Sequence, residues 1–275
     1  MDAPRLAGID RRPDPLGSMF SAISWRYDLL NSLLSLGQDG AWRRALARPI
    51  AAGSRVLDLC CGSARSSLPA WQRAGRPVTG VDVSLAMLGR GREFARARGA
   101  AFAPVQADGF RLPFRDGAFD VVVAAFGLRN LVPLPDAARE IQRVLVPGGR
   151  FLALDSVAPA PGPLAPLHRA YLRHAVPLLG RLSGDPRAYR YLSESIFDFG
   201  TAPAVAGRLE EAGFARPVGA RPLLLGAVAL FEARAGNVLS SRTGPPGGGV
   251  QSSDPPRGET HIATPERAAA GRGAR

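Results

Sequence analysis

Lysine is absent from this 275-residue sequence: all 35 basic residues are arginine, set against 23 acids for a formal charge of +12. The arginines are scattered and form no block of roughly five or six like charges, so a nucleic-acid-binding arm is not indicated and no nucleic-acid partner is expected. The arginine excess reads as a codon-composition effect, with weak attraction to an anionic membrane surface as its physical consequence. Cysteine is nearly absent too. The two present, Cys60 and Cys61, are adjacent, which suits neither zinc-ligand spacing nor a fold-stapling disulfide. The three histidines, His168, His174 and His261, never pair at the i, i+4 spacing of a helical metal site, so no metal is expected. No apolar run approaches the ~18–20 residues of a bilayer span, and the N-terminus shows no apolar core of a secretory signal. A cytoplasmic protein is expected. The hydrophobic share, 46%, is ample for a core.

Composition divides the chain into three parts. From Gly236 the sequence is rich in Gly, Pro and Ser without apolar periodicity, so residues 236–275 are expected to be a disordered tail. Residues 1–17 have a similar character and are expected to be flexible, which leaves one folded domain over 18–235. Within it, strand and helix patterns alternate. Strands are expected at Arg55–Leu59, Val78–Val81, Phe102–Gln106, Phe119–Ala125 and Phe151–Leu154. Helices are expected at Ser66–Ala74, Leu85–Arg98 and Asp136–Leu145, with a turn at Pro147–Gly149. This rhythm predicts βαβ units and a mostly parallel sheet. A helical stretch from Pro163 to about Leu209 interrupts it, and two apolar runs around Gly226 predict a closing antiparallel pair.

Carboxylates stand at the ends of the first three strands. Asp58 lies in V-L-D-L-C-C-G-S (56–63), where Gly62 lets the backbone pass close to a ligand and the following helix points its N–H groups at it. Asp82 ends the second strand, where a carboxylate can accept both hydroxyls of a ribose or cap the next helix, a task Ser84 could also perform. Asp108, followed by Gly109, ends the third. An acid and a backbone N–H there can read an adenine edge, although a plain turn aspartate fits as well. A dinucleotide site would want G-x-G-x-x-G, and Gly62-Ser63-Ala64-Arg65-Ser66-Ser67 does not supply it. The fourth strand, V-V-V-A-A, empties into Arg129 and Asn130, and open parallel sheets place their ligand chemistry at such strand ends.

Several segments carry a family resemblance. They are M-F-S-A-I-S-W-R-Y-D-L-L-N-S-L-L-S-L-G (19–37), Trp42-Arg43, F-G-L-R-N (126–130), L-V-P-G-G-R (145–150), G-D-P-R-A-Y-R-Y-L-S-E-S-I (184–196) and G-A-V-A-L (226–230). Over roughly Met19 to Ala235 the chain resembles the ubiquinone/menaquinone biosynthesis C-methyltransferases. The resemblance implies a class I, Rossmann-like α/β fold with a seven-stranded, mostly parallel sheet and an antiparallel C-terminal pair. It implies S-adenosylmethionine as cofactor, held by Asp58, Gly62, Ser63 (usually threonine in the family), Asp82, Asp108 and Gly109. It also implies a prenylated quinol substrate, methylated at a ring carbon, with Arg129 and Asn130 facing it. The family commonly reads C-G-T-G-D where this chain has Cys61-Gly62-Ser63-Ala64-Arg65. If position 64 needs positive φ, alanine would cost on the order of 1 kcal/mol, and Arg65 brings a cation near a sulfonium ligand.

Methylating a ring carbon requires a quinol oxygen to give up its proton and the ring to be aligned with the methyl donor. Arg129 stays protonated, so it is expected to stabilise the phenolate while Asn130 orients the oxygen or a water. The competing role for Arg129 is a salt bridge with a helix acid. Tyr189, Asp185 and His174 are candidate proton acceptors. Residues 19–36 have the apolar face of a helix, which fits either core packing or a lid presenting Tyr27, Asp28 and Asn31. The apolar segment Leu164–Leu182 could guide an isoprenoid tail or rest on the inner face of the membrane. A homodimer, the ring type and the prenyl length are left open. Competing functions are methylation of another small hydrophobic acceptor, a non-catalytic quinol-binding scaffold and, third, a nicotinamide oxidoreductase.

Overall fold

The computed structural model describes residues 35, 37–163, 165–175 and 186–236, the side chains of 171, 175 and 186–189 excepted. The elements run α1 (Asp39–Ala47), β1 (Val56–Leu59), α2 (Ser67–Ala74), β2 (Val78–Asp82), α3 (Leu85–Arg96), β3 (Phe102–Gln106) and β4 (Phe119–Ala125). A 3-10 turn (Leu128–Asn130) leads to α4 (Leu134–Val144), β5 (Leu145–Ser156), α5 (Ala165–Ala170) and a π-helical turn (Tyr171–Ala175). Then come α6 (Pro186–Phe199), α7 (Ala202–Glu211), β6 (Phe214–Leu223), a second 3-10 turn (Leu224–Gly226) and β7 (Val228–Ala235). The sheet has seven strands in the order β3-β2-β1-β4-β5-β7-β6. Pairings from β3 through β5 are parallel, and β7 is antiparallel to both β5 and β6.

The central strands are apolar on both faces because helices cover both. Successive side chains on a strand alternate faces, and the two cores sort by that parity. Leu57, Leu59, Val122 and Ala124 join Ile141 of α4 and Leu209 of α7. Val56, Val121 and Val123 join Trp42 and Leu46 of α1 and Ala70 and Ala74 of α2. Asp58 shares the parity of Val56, so its carboxylate is directed beneath α1 and α2. That single fact decides its surroundings.

One expectation is revised and two gain detail. The turn at Pro147–Gly149 does not separate α4 from β5; it is absorbed in one long strand, where the register against β4 jumps from Phe119↔Leu145 to Val121↔Arg150. The helical stretch from Pro163 resolves, among the described residues, into α5, the π turn, α6 and α7. The closing pair is longer than its apolar runs, since β6 begins at Phe214. Residues 1–17 and 237–275, expected to lack order, lie outside the described residues.

Candidate active site

Beyond β1 the chain turns sharply, with Cys60, Gly62 and Ala64 at φ of 54°, 52° and 60°. Glycine takes this left-handed conformation freely, whereas alanine and cysteine pay steric strain there. The condition attached to Ala64 is therefore met. Space for its methyl group comes from α3: a Cβ placed on Gly91 would lie 3.2 Å from Ala64 Cβ. The substituted loop is accommodated rather than broken.

Asp82 ties this loop to the end of β2. Gly62 N donates to its Oδ2 at 2.9 Å and Ser84 N to its Oδ1 at 3.0 Å. Ser84, not Asp82, caps α3, since its Oγ accepts from Met87 N at 3.3 Å. Burial pushes the Asp82 carboxyl above the ordinary value, opposed by the N–H groups of Ser84, Gly62 and Val83. A desolvated carboxylate that two amides hold still, with lone pairs left over, suits a neutral diol.

A cleft of about 460 Å³, mouth included, opens over this loop. Its wall runs through Arg43, Cys60–Ser63, Arg65, Asp82, Met87, Ala125–Gly127 and Asn130, so polar and apolar groups converge on one concave surface, as small-molecule sites require. Of the expected cofactor residues, Gly62, Ser63 and Asp82 line it. Asp58 does not. It stands behind the wall, with Ser67 Oγ donating to its Oδ2 at 2.6 Å. Its Oδ1 is buried without a hydrogen-bond partner. Burial raises the Asp58 pKa to about 7, against the lowering effects of Ser67 and Arg43.

Asp108 lies at the neighbouring strand end: β2 and β3 pair Asp82 with Gln106, and Ala107 N donates to Asp82 O. Asp108 Oδ1 accepts from Phe110 N at 3.0 Å, so part of its capacity serves its own turn. Gly109 packs closely, since a Cβ there would stand 2.9 Å from Leu131 Cδ2. The acids nonetheless converge. After burial, which is the largest cause, Asp82, Asp58, Asp155 and Asp108 all push the Cys60 thiol up.

The Arg129–Asn130 pair divides its tasks. Arg129, expected to face substrate, is turned inward and only 4% exposed. Its Nη1 donates to Asp155 Oδ1 at 2.6 Å and to Phe126 O at 2.8 Å, and its backbone N donates to Asp155 Oδ2 at 3.1 Å. The salt bridge weighed as its alternative role exists, but the acid comes from β5 rather than from a helix. Asn130 does line the cleft, and Tyr191 OH donates to its Oδ1 at 2.9 Å.

Tyr191 and Arg43 are site residues that sequence reasoning missed. Tyr191 belongs to A-Y-R-Y-L, of which only Tyr189 was singled out. Its signal is the four-residue step Tyr191–Ser195–Phe199, the buried face of α6. In the sequence Arg43 stands out only as part of a family motif. It is buried, donates to Ser66 Oγ at 2.6 Å and sits 5.1 Å from the centre of the Phe126 ring. Tyr27, Asp28, Asn31 and Asp185 lie outside the described residues, as does the side chain of Tyr189. His174 is exposed on the π turn.

The sheet order and the cleft over the carboxyl ends of β1, β2 and β4 define a class I methyltransferase. A SAM-dependent methyltransferase from Aquifex aeolicus superposes with a TM-score of 0.50 at 19% identity, covering 68% of this chain and 84% of that one. At that identity the likeness speaks for the fold alone. Residues 10–234 match the model of the ubiE/COQ5 methyltransferase family, and the chain belongs to it. Demethylmenaquinone methyltransferase of Streptomyces avermitilis is 42% identical over 230 residues, spanning 82% of this chain and 96% of that protein. Its namesake from Thermus thermophilus is 43% identical over 203 residues, spanning 71% and 91%.

Proposed function

We propose that the protein methylates a ring carbon of a prenylated quinol, with demethylmenaquinol as the substrate, in quinone biosynthesis. The carrying observation is one cleft that joins Asp82 and the 60–64 loop at one side to the Asn130–Tyr191 pair at the other. Asp82, Gly62 and Ser63 would hold S-adenosylmethionine, Asp82 by the ribose hydroxyls, with Asp108 and Gly109 flanking the adenine side and Asp58 bracing the loop from behind. The cofactor supplies an electrophilic methyl group. The names of the curated relatives favour the naphthoquinol over the benzoquinol.

The protein's own task is to align the ring and favour its phenolate. With its carbonyl taken by the Tyr191 hydroxyl, Asn130 presents its amide N–H groups to a quinol oxygen, where preorganised donors stabilise developing negative charge. Arg129 is a positioning residue: anchored on Asp155, it fixes the turn that carries Asn130. Accommodation of Ala64 by Gly91 supports a working cofactor loop and weighs against the scaffold reading. The test is incubation of the purified protein with S-adenosylmethionine and detergent-solubilised demethylmenaquinol, read by mass spectrometry. A product heavier by one methylene unit is expected. Calorimetric binding of S-adenosylmethionine without any methylated quinol would reject this substrate, and absence of both would reject the methyl-transfer reading.

A further inference from the structure

Large apolar side chains that face water are few among the described residues, and their positions are not random. Leu85 is 65% exposed, Val132 44%, Leu167 70% and Leu225 85%. Leu85 and Val132 closely follow the carboxyl ends of β2 and β4. Leu167 lies on α5, whose continuation at Leu172 accepts from Ser193 Oγ of α6, the helix that brings Tyr191 to Asn130 at the cleft. Leu225 joins them from the other direction. Ser156, the last residue of β5, pairs with Val228, the first of β7, which puts the β6–β7 turn at that same edge. All four therefore rim the edge where the cleft opens. From β2 to β7 is four strand spacings, roughly 19 Å, so they bracket the mouth rather than form one spot.

The β6–β7 turn shows this most sharply. Leu224 and Leu225 both hold left-handed φ, at 44° and 53°, a conformation that costs a leucine on the order of 1 kcal/mol or more. Leu224 is half-buried against the cluster containing Phe126 and Ala125 of the cleft wall, which seats the turn beside the mouth. Leu225 gains no packing in return for its strain. Charge accompanies the apolar rim: Arg169 and Arg173 beside Leu167, and Arg221 beside the turn, are exposed. Residues 157–175 and 216–231 contain no acid.

We propose that this rim is a docking face for an anionic lipid bilayer, with Leu225 and Leu167 entering the interface and the flanking arginines meeting lipid phosphates. Apolar side chains in the acyl boundary ringed by cations at headgroup level are the physical requirements of interfacial binding. Docked this way, the cleft mouth faces the membrane, and a quinol ring can enter while its prenyl tail stays in lipid. The inference rests on the prenylated-quinol reading but concerns a surface that reading does not need.

Co-sedimentation of the full chain with vesicles of phosphatidylcholine, with and without phosphatidylglycerol, tests it. Binding to the anionic vesicles that weakens with salt is expected, with much less to the neutral ones. Leu225→Ser and Leu167→Ser should each lower partitioning roughly tenfold. Arg169→Ser should lower it roughly fivefold, and Arg115→Ser, near the opposite edge, should leave it unchanged. Wild-type protein that ignores anionic vesicles, or leucine variants that bind as wild type does, would overturn the proposal. Self-association abolished by Leu225→Ser without vesicle binding would overturn it in favour of a second copy of the chain. Methylation of a detergent-solubilised quinol separates the two readings: wild-type protein that turns over but ignores anionic vesicles removes the docking face alone, whereas Leu225→Ser protein that turns over normally but no longer binds vesicles supports it.

Discussion

Asp58 should make this protein lose stability as pH rises, and replacing it by asparagine should abolish that loss. The carboxyl is fully enclosed beneath α1 and α2, and burial lifts its pKa to about 7, whereas an aspartate in the unfolded chain titrates near ~3.9. Between those values the folded state holds a proton that the unfolded state has released. Stability is then highest at low pH and falls as pH climbs through the window, levelling off above about 7. At 1.36 kcal/mol per pH unit, the penalty carried by this group grows by roughly 2.5 kcal/mol between about pH 5 and about pH 8. Asp58→Asn keeps an oxygen to accept from Ser67 but carries no charge, so it gains on wild type by that amount over the same span. The gap between the two proteins isolates the group. Neither curve alone does, because Arg55 holds Asp120 low and Arg143 holds Glu140 low, and depressed acids give a slope of opposite sign. Urea unfolding followed by circular dichroism at the two pH values measures the gap. An equal difference at both would mean that Asp58 is ionised in the fold, and the account of its burial would be wrong.

Arg129→Leu should destabilise by roughly 3–5 kcal/mol in the same unfolding assay, because it strands Asp155 as a buried charge without its partner; a loss below about 1 kcal/mol would show that the pair is not a structural anchor. The further change Asp155→Leu should restore much of that loss. Ala64→Gly should raise the melting temperature by about 2–3 °C, since relief of left-handed strain outweighs the added freedom of the unfolded chain; a fall would mean that the methyl packing against Gly91 matters more than the backbone. Tyr191→Phe should lower kcat roughly tenfold through the lost hydrogen bond to Asn130, while calorimetric affinity for S-adenosylmethionine stays unchanged. Unchanged turnover would remove the pair from the chemistry.

The parallel sheet was legible because its signals are local. Each strand is an apolar run bounded by turn residues, and each crossover helix has its own periodicity, so element order alone dictates the architecture. Asp82 was legible for the same reason, as the residue that ends a strand. Strand register, which needs the pairing partners assigned, explains why Asp58 is not in the cleft wall: it shares a sheet face with Asp82 but pairs with Gly80, two residues deeper in the sheet, roughly 7 Å below the strand end. Arg129 shows a further limit. Its partner Asp155 is 26 positions away, on a strand whose register is fixed by neighbours on both sides. No feature of F-G-L-R-N reveals that its arginine is already neutralised. No mark in the sequence ties Tyr191 to the cleft, and only its hydrogen bond to Asn130 places it at the site.

Gly127 lies against Cys60 so tightly that any Cβ at 127 would overlap the Cys60 Cβ. The segments leaving β1 and β4 thus meet main chain to side-chain root, with no flexible atoms to act as a cushion. A shift in the first on ligand entry is handed directly to the second and on to the amide three residues further along. The two sides of the cavity, one carrying Cys60 and the other Asn130, are in effect one rigid piece, and tolerance for substitution at their seam should be close to nil.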